Sequence, residues 1–354
     1  MPEISYTRVN DNTPVLVGCA QLTDKRGVEG YNYLEILTEV SKKALIDCEA
    51  SKDFRQEIDT VGVIRFVADT PQRDSATSDL WGYPNMPRSL ARSLGFNAKN
   101  EIYTTTGGNS PQIAINELAN RIKDKQIECA LLSGGEALDT FVTRLKDGLE
   151  VNWSDEPGGE PEIIGKSEDG TNDHEKIHGI FNPSSVYPLF ANSLRGLNNQ
   201  TVQEHMNDTG ELFERFSKVA SKNKYSWFPI HRSAEEIALT QPENRMIGLP
   251  YTKYMNSIMR VNQSCALILM SAKKAREFGI PTSKWVFMYA GACINDIWNV
   301  SDRVDYSSSP AIKACSDNVF ELADVKIEEL NFIDLYSCFP SAVQIAMKEL
   351  ELSK

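Results

Sequence analysis

Residues 15–20, VLVGCA, form a short apolar run, and residues 33–50, YLEILTEVSKKALIDCEA, then repeat apolar positions at three- and four-residue intervals. The same pairing recurs in DTVGVIRFV (59–67) before MPRSLARSLGF (86–96), and in EIYTTT (101–106) before SPQIAINELANRIKD (110–124), and IECALLSGGEA (127–137) closes the set. Short apolar runs predict strands, and runs with helical spacing predict helices. Strands alternating with helices of about 10–15 residues predict βαβ units in a mainly parallel, helix-covered sheet, so the expected fold class is α/β.

A similar rhythm resumes near residue 260: RVNQSCALILMS leads into AKKAREFGI, KWVFMYAGAC follows, SPAIKACSDNVFELA reads as a helix, and NFIDLYSCF leads into PSAVQIAMKELEL. The two halves share a device. Strand EIYTTT turns into a helix opened by Ser110 and Pro111, and strand NFIDLY into one opened by Pro340 and Ser341. Proline suits a first helical turn because its missing N–H is not needed there. The expectation is a tandem duplication with a long insertion: an N-terminal half at 1–138, a loop or insertion region at 139–255, and the first part of a second half at 256–354.

With 354 residues, 41% of them hydrophobic and 24% charged, the chain has material for a large core and for two domains or one duplicated domain. The net charge of −12 disfavours nucleic acid and anionic membrane surfaces, which require clustered Lys and Arg. The balance is uneven along the chain. Residues 147–175 hold ten acids and one base, with the glycine-rich pieces EPGGEPE and EDGTND, and read as a solvated insertion. Residues 222–260 reverse this, with six Lys/Arg against three Glu, which suits either a phosphate-bearing ligand or an ordinary solvated face.

The start, MPEISYTRVNDNTP, has no basic segment followed by an apolar one, and CALILM (265–270) is too short to span a bilayer, so a cytoplasmic protein is expected. The seven cysteines lack CxxC spacing and sit mostly in apolar runs, which predicts reduced, buried thiols and no zinc site or disulfide framework. HEKIH (174–178) matches the zinc-protease pattern HExxH. Glycines and a proline crowd it, and Phe181 and Ser184 stand where an extended metal motif needs Gly and His, so the metal expectation is none.

The order of these segments resembles the thiolase superfamily over about residues 13–352, in the branch near sterol-carrier-protein thiolases often labelled acetyl-CoA acetyltransferase. VNQSCALILMSAKKAREFG is similar to the family's strand and helix opening the second half, VASKNKYSW to its KNH-type segment, and NRMIGLPYTKYM to the run before that strand. The resemblance implies a thiolase-like fold of two βαβαβ halves, lipid metabolism, and coenzyme A or acyl-CoA as substrate or ligand, with no tightly bound cofactor.

The departures are chemical. Thiolases present a cysteine on the first elbow, where unpaired helix N–H groups favour the thiolate, whereas alignment puts Gly108 there. In the second half Tyr336-Ser337-Cys338-Phe339 stands where the branch has His-Asp-Cys-Phe, and Ala342 stands where an asparagine belongs. Losing an activated nucleophile removes several orders of magnitude in acyl-transfer rate, so ordinary thiolysis is not expected.

The corner retains backbone N–H groups from Gly107 to Ser110 that suit a carbonyl oxygen or a phosphate. Ser110 reads either as a donor to the ligand or as a helix cap. Tyr336 reads either as an acid or base in carbon–carbon cleavage beside a thioester, as resemblance to thiolase-like aldolases implies, or as a partly buried structural tyrosine. Cys338 reads either as a stand-in nucleophile or as a structural thiol. For the phosphates and adenine of coenzyme A the candidates are Lys222, Lys224, Trp227, Arg232 and Arg245, and Tyr187, Phe190 and Asn192 in NPSSVYPLFANSLRG are candidate tunnel liners, packing roles being the alternative for each.

Thiolases continue past the equivalent of DLYSCFPSAVQIAMKEL with further strands, so a fragment or a partner chain completing the second half is expected, with a homo-oligomer as a further possibility. Three function classes follow: an acyl-CoA enzyme of altered mechanism, a non-catalytic acyl-CoA binder, and a scaffold subunit of a thiolase-like or aldolase complex.

Overall fold

A computed structural model describes residues 9–70, 82–166, 168 and 170–352; most of the N-terminal stretch read for a leader, and residues 167 and 169 of the acidic stretch, lie outside the described residues. Two compact units divide the chain, one from Met1–Ser167 and Met259–Tyr289, the other from Glu168–Ile258 and Ala290–Lys354.

In chain order the first segment lays down β1 (Pro14–Thr23), α1 (Tyr33–Asp47), β2 (Thr60–Ile64), α2 (Met86–Ser93), β3 (Asn100–Thr104), α3 (Ser110–Lys123), β4 (Cys129–Ala137), α4 (Leu138–Lys146) and β5 (Glu162–Ile164). Helices α5 (Asp173–Ile177), α6 (Pro183–Leu197), α7 (Val202–Ala220) and α8 (Ala234–Ala238) follow, with a small hairpin of β6 (Met246–Gly248) and β7 (Tyr251–Thr252). Then come β8 (Asn262–Ser271), α9 (Ala272–Glu277) and β9 (Val286–Phe287), and last α10 (Pro310–Ala323) and α11 (Pro340–Glu349).

The first unit is built on a seven-stranded sheet in the order β5-β3-β2-β4-β8-β1-β9. Neighbours among β5, β3, β2 and β4 run parallel, and the pairings β4–β8, β8–β1 and β1–β9 are antiparallel, so the sheet is mixed. The expected α/β class holds. Side chains alternate across the sheet: Cys129 and Leu131 of β4 join a core with Ile36, Leu37 and Val40 of α1 and Leu90 of α2. Ala130 and Leu132 join a second core with Ala114, Leu118 and Ile122 of α3. Burial on both faces explains why β4 reads as a continuous apolar run. Helix α1 starts where it does because Asn32 and Glu35 exchange hydrogen bonds with each other's backbone N–H in a capping box.

The second half differs from its expectation. VNQSCALILMS does not open a new sheet: β8 lies between β4 and β1, paired from Cys129↔Met270 to Ala137↔Asn262 on one side and from Pro14↔Ser271 to Thr23↔Gln263 on the other. Its apolar pattern specifies a strand buried on both faces but not which sheet it enters. KWVFMYAGAC supplies only the two-residue edge strand β9, and NFIDLY forms no ladder among the described residues. A strand needs a neighbour to satisfy its backbone, and none is paired there; Phe332 is 94% exposed.

The region expected as loop is largely helical, α4 to α8. Within the acidic stretch, Val151 and Trp153 are buried in the first unit's core, and Glu162–Ile164 adds strand β5 beside β3. Arg121 anchors that edge through a two-pronged bond to Glu162, at 2.7 and 2.6 Å. All seven cysteines are free; Cys48 and Cys129 are buried as expected, whereas Cys19, Cys265 and Cys293 are exposed. Among the described residues no helix is long and apolar enough to cross a membrane.

Leu131 is fully buried where β4 crosses the first core. Leu131→Ala is expected to lower unfolding free energy by about 2–5 kcal/mol in denaturant titration; an unchanged midpoint would remove β4 from the core.

Candidate functional site

Strands β2, β3 and β4 run parallel; β2 and β3 end at Ile64 and Thr104, and β4, whose Gly134 lies beside Ile64, runs on to Ala137. The carboxyl edge of such strands is where open α/β sheets bind ligands. At this edge β3 turns through Thr105, Thr106, Gly107 and Gly108 into α3. A Cβ at Gly107 would lie 2.9 Å from Asn109 Oδ1, the tip of an exposed side chain that can swing away, and 3.2 Å from Ser110 Oγ, so the bend is tight there. Gly108 and Asn109 are exposed. Asn109 is the N-cap residue but its side chain makes no cap bond; the Ser110 N–H bonds the Gly107 carbonyl and the Gln112 N–H the Asn109 carbonyl, both at 3.1 Å, and Pro111 has no N–H, so what faces the bend is the positive end of the helix dipole.

Ser110 takes neither of its expected roles. It is buried, and its hydroxyl donates to the carbonyl of Thr105 at 2.7 Å, locking helix start to strand end. The chemistry left on the corner is backbone N–H, helix dipole and glycine surface, with no thiol.

Beneath the bend lies a charged network absent from the sequence reading. Arg65, directly after β2, donates from Nε to the Thr104 carbonyl at 3.0 Å and from its backbone N–H to Thr104 Oγ1 at 3.1 Å. Its guanidinium pairs with Asp69 at 3.0 Å and covers the Tyr103 ring at 3.8 Å. Tyr103 donates its hydroxyl to Asp69 at 2.6 Å, and Thr70 and Thr106 hydroxyls meet at 2.9 Å, tying this turn to the bend. Burial pushes the Asp69 carboxyl above its ordinary range despite Tyr103 and Arg65, which pull it down, and burial pushes the Tyr103 phenol far up. Glu136, near the end of β4, accepts the Val67 N–H at 2.6 Å. The signal was present, in an Arg and a Glu placed where parallel strands end.

The second unit holds the other elbow, at the start of α11. Cys338 donates its thiol to the Tyr187 hydroxyl at 3.3 Å, and Tyr187 stacks on Phe339 with centroids 4.2 Å apart. Tyr336, 56% exposed, also shares a hydrogen bond with Cys338; partial desolvation, and then that thiol, push its phenol up to about 12. Burial pushes Tyr187 higher still. Both phenols are therefore protonated at neutral pH. Tyr251, not singled out in the sequence, accepts the Ser341 N–H at 3.1 Å and so caps α11, and the buried Ser341 Oγ has no protein partner. Tyr336, Cys338 and Tyr187 are thus brought together.

The candidate ligand-binding residues are more dispersed. Asn192 donates to the carbonyls of Pro188 and Leu249 at 2.9 and 3.0 Å, which ties α6 to the turn before β7. Phe190 packs among Tyr187, Tyr306 and Arg303. Arg232 stacks over Tyr254 at 3.8 Å, and the Tyr254 N–H is held by Asn244, next to the exposed Arg245, so these two arginines share a neighbourhood. Lys222 and Lys224 are exposed after α7, with Lys224 against Tyr225, and Trp227 is half-buried. In HEKIH, Glu175 is buried and serves as the capping residue of α5, accepting N–H groups of Asn172 and Ser301. No group of three metal-ligating side chains occurs among the described residues.

The comparisons place this architecture. The chain superposes on the monomeric SCP2-thiolase like protein type 1 of Mycobacterium smegmatis with a TM-score of 0.79 and 30% identity, covering 98% of this chain and 64% of that one. An acetyl-CoA acetyltransferase of Methanocaldococcus jannaschii is 23% identical over 244 residues, 66% of this chain and 58% of the relative. The chain belongs to the thiolase superfamily. Its kinship is to the SCP2-thiolase-like members, and it spans about two thirds or less of the length of these relatives. The fold is also that of an Ltp2-ChsH2(DUF35) aldolase, with a TM-score of 0.65 at 14% identity over 97% of this chain and 78% of that one. No family model matches the chain.

For this thiolase-superfamily chain, Ser110→Ala is expected to cost about 1–2 kcal/mol, because the short bond to the Thr105 carbonyl is lost from a buried corner. A melting temperature equal to the parent's would show that the lock is idle. Half-buried and hydrogen-bonded to two phenols, Cys338 is expected to react with a thiol reagent at neutral pH more slowly than exposed Cys293; faster labelling of Cys338, read by peptide mass spectrometry, would revive it as a nucleophile.

Proposed function

We propose that this chain binds an acyl-CoA thioester at the Gly107–Ser110 bend and acts on a carbon–carbon bond beside the thioester without a cysteine nucleophile. The observation that carries the reading is the glycine bend before α3 at the carboxyl edge of three parallel strands, with Gly108 and Asn109 exposed and the helix dipole toward them. Backbone N–H groups aimed at a thioester oxygen stabilise negative charge there whether it arises from acyl transfer or from an enolate. Arg65 and Asp69 hold the bend in place from below.

In cleavage of a β-hydroxyacyl-CoA, the bond between the α and β carbons breaks, the hydroxyl loses its proton as the carbonyl product forms, and the thioester enolate takes a proton at its α carbon. Water can take the hydroxyl proton, a positioned acid must protonate the α carbon, and no oxidant is needed. Tyr336, in the second unit and protonated at neutral pH, is the donor candidate that the sequence singles out. Arg232 and Arg245 are the phosphate-binding candidates that share a neighbourhood. We place the chain in the cytoplasm on the strength of its free cysteines. A partner chain, as in the aldolase relative, is part of the reading.

Calorimetric titration with acetyl-CoA, followed by a product assay on β-hydroxyacyl-CoA with the completed assembly, tests this. Binding with turnover that falls about 10²–10⁴-fold in Tyr336→Phe supports the enzyme reading. Binding without turnover reduces the chain to a non-catalytic acyl-CoA binder, and absence of both leaves a scaffold subunit.

A further inference from the structure

Two carboxyl groups stand where the parallel strands of the first unit end, and they are held differently. Glu136, near the end of β4, has both oxygens engaged: Oε1 accepts the Val67 N–H at 2.6 Å and Oε2 the Tyr33 hydroxyl at 3.4 Å. Asp69, in the turn after β2, has one oxygen engaged. Tyr103 and Arg65 both donate to its Oδ2, at 2.6 and 3.0 Å, and among the described residues Oδ1 accepts no hydrogen bond. The Asp69 side chain keeps 19% of its surface exposed while Tyr103 beneath it has none, so the carboxyl is gripped from inside and reachable from outside.

Its place is beside the bend. The next residue, Thr70, meets the Thr106 hydroxyl at 2.9 Å, and Thr106 adjoins Gly107. The charged and titratable groups around Asp69 are Arg65, Tyr103, Tyr33 and Tyr83, with Glu136 facing Tyr33 and Tyr103. Burial raises the Asp69 carboxyl more than Tyr103 and Arg65 lower it. A carboxyl raised in this way takes up a proton near neutral pH more readily than an ordinary aspartate.

We propose that Asp69 is the proton-transfer group of this site, acting at the α carbon of a thioester held at the bend. In cleavage of a β-hydroxyacyl-CoA its carboxylate takes the hydroxyl proton as the carbon–carbon bond breaks and the carbonyl product forms. The electron pair of that bond passes into the thioester enolate, and the carboxyl returns the proton to the α carbon. Asp69 ends as it began, and no co-reactant enters. Oδ2, gripped by Tyr103 and Arg65, fixes the carboxyl, and Oδ1 carries the proton. This rests on the acyl-CoA reading of the bend and names an acid in the same unit as the bend.

The same group exchanges the α hydrogens of a bound thioester that has no bond to cleave, so the probe is acetyl-CoA in deuterium oxide. Loss of its methyl signal is followed by proton NMR with the full chain at saturating acetyl-CoA, and binding is read separately by calorimetry. The parent is expected to catalyse the exchange. Asp69→Asn, which keeps an oxygen to accept from Tyr103 and Arg65, is expected to slow it about 10²–10⁴-fold. In the parent the rate rises with pH as the carboxyl ionises, through a single step above the ordinary carboxylate range, and that step is absent from the variant. A residue that only positions the bend would change affinity and leave the step. If Asp69→Asn does not fold, Asp69→Glu decides, with exchange slowed about tenfold or more expected at saturation and exchange at the parent's rate overturning the assignment. Absence of acetyl-CoA binding removes the acyl-CoA reading and this assignment with it. Binding without exchange in the parent, or exchange in Asp69→Asn at the parent's rate, overturns the assignment of Asp69 alone and leaves the bend as a thioester site.

Discussion

Strand β8 wedged antiparallel between β4 and β1 is the constraint on which the first unit depends. It brings residues near 270 against residues near 14 and 130, closing a long stretch of chain on itself. Both of its faces are needed: Ala266, Ile268 and Met270 enter the core shared with α1, while Leu269 enters the core beneath α3. Without that wedge, the parallel strands β5, β3, β2 and β4 would end in an open edge at β4. The helical insertion from α5 to β7 is thereby tethered at both ends, leaving after β5 and returning into β8.

A sheet held this firmly can support a polar corner at its carboxyl edge. The bend between β3 and α3 is fixed from three directions: Ser110 to Thr105, Arg65 to Thr104, and Thr70 to Thr106. Asp69 sits among these groups with its carboxyl pushed up by burial, and Arg65 and Tyr103 share the charge it carries. Pre-set backbone donors stabilise developing charge because they need no reorganisation when it appears. Such donors act without a thiol.

The α/β class was legible because each strand up to β4 is followed by a helix with clear apolar spacing. The elbow was legible in GGNSP, whereas the meeting of Tyr187, read as a tunnel liner, with Tyr336 and Cys338 at the second elbow was not, because 151 residues separate Tyr187 from Cys338. What period alone does not encode is partnership. β8 has the pattern of any twice-buried strand, so its place in the first sheet was invisible, and NFIDLY has a strand's pattern but no partner. Trp153 and Val151 sit in an acidic stretch whose charges masked two core residues. Arg65 and Asp69, four residues apart just past β2, matter through a backbone carbonyl on a different strand, a contact that no local window contains.

The central claim is that the Gly107–Ser110 bend receives a thioester. Hydrogen exchange of the amides of Gly107, Gly108 and Asn109, with and without saturating acetyl-CoA, tests it most directly. The account predicts slowed exchange concentrated at those amides. Unchanged exchange there, under acetyl-CoA that protects amides elsewhere in the chain, would contradict it.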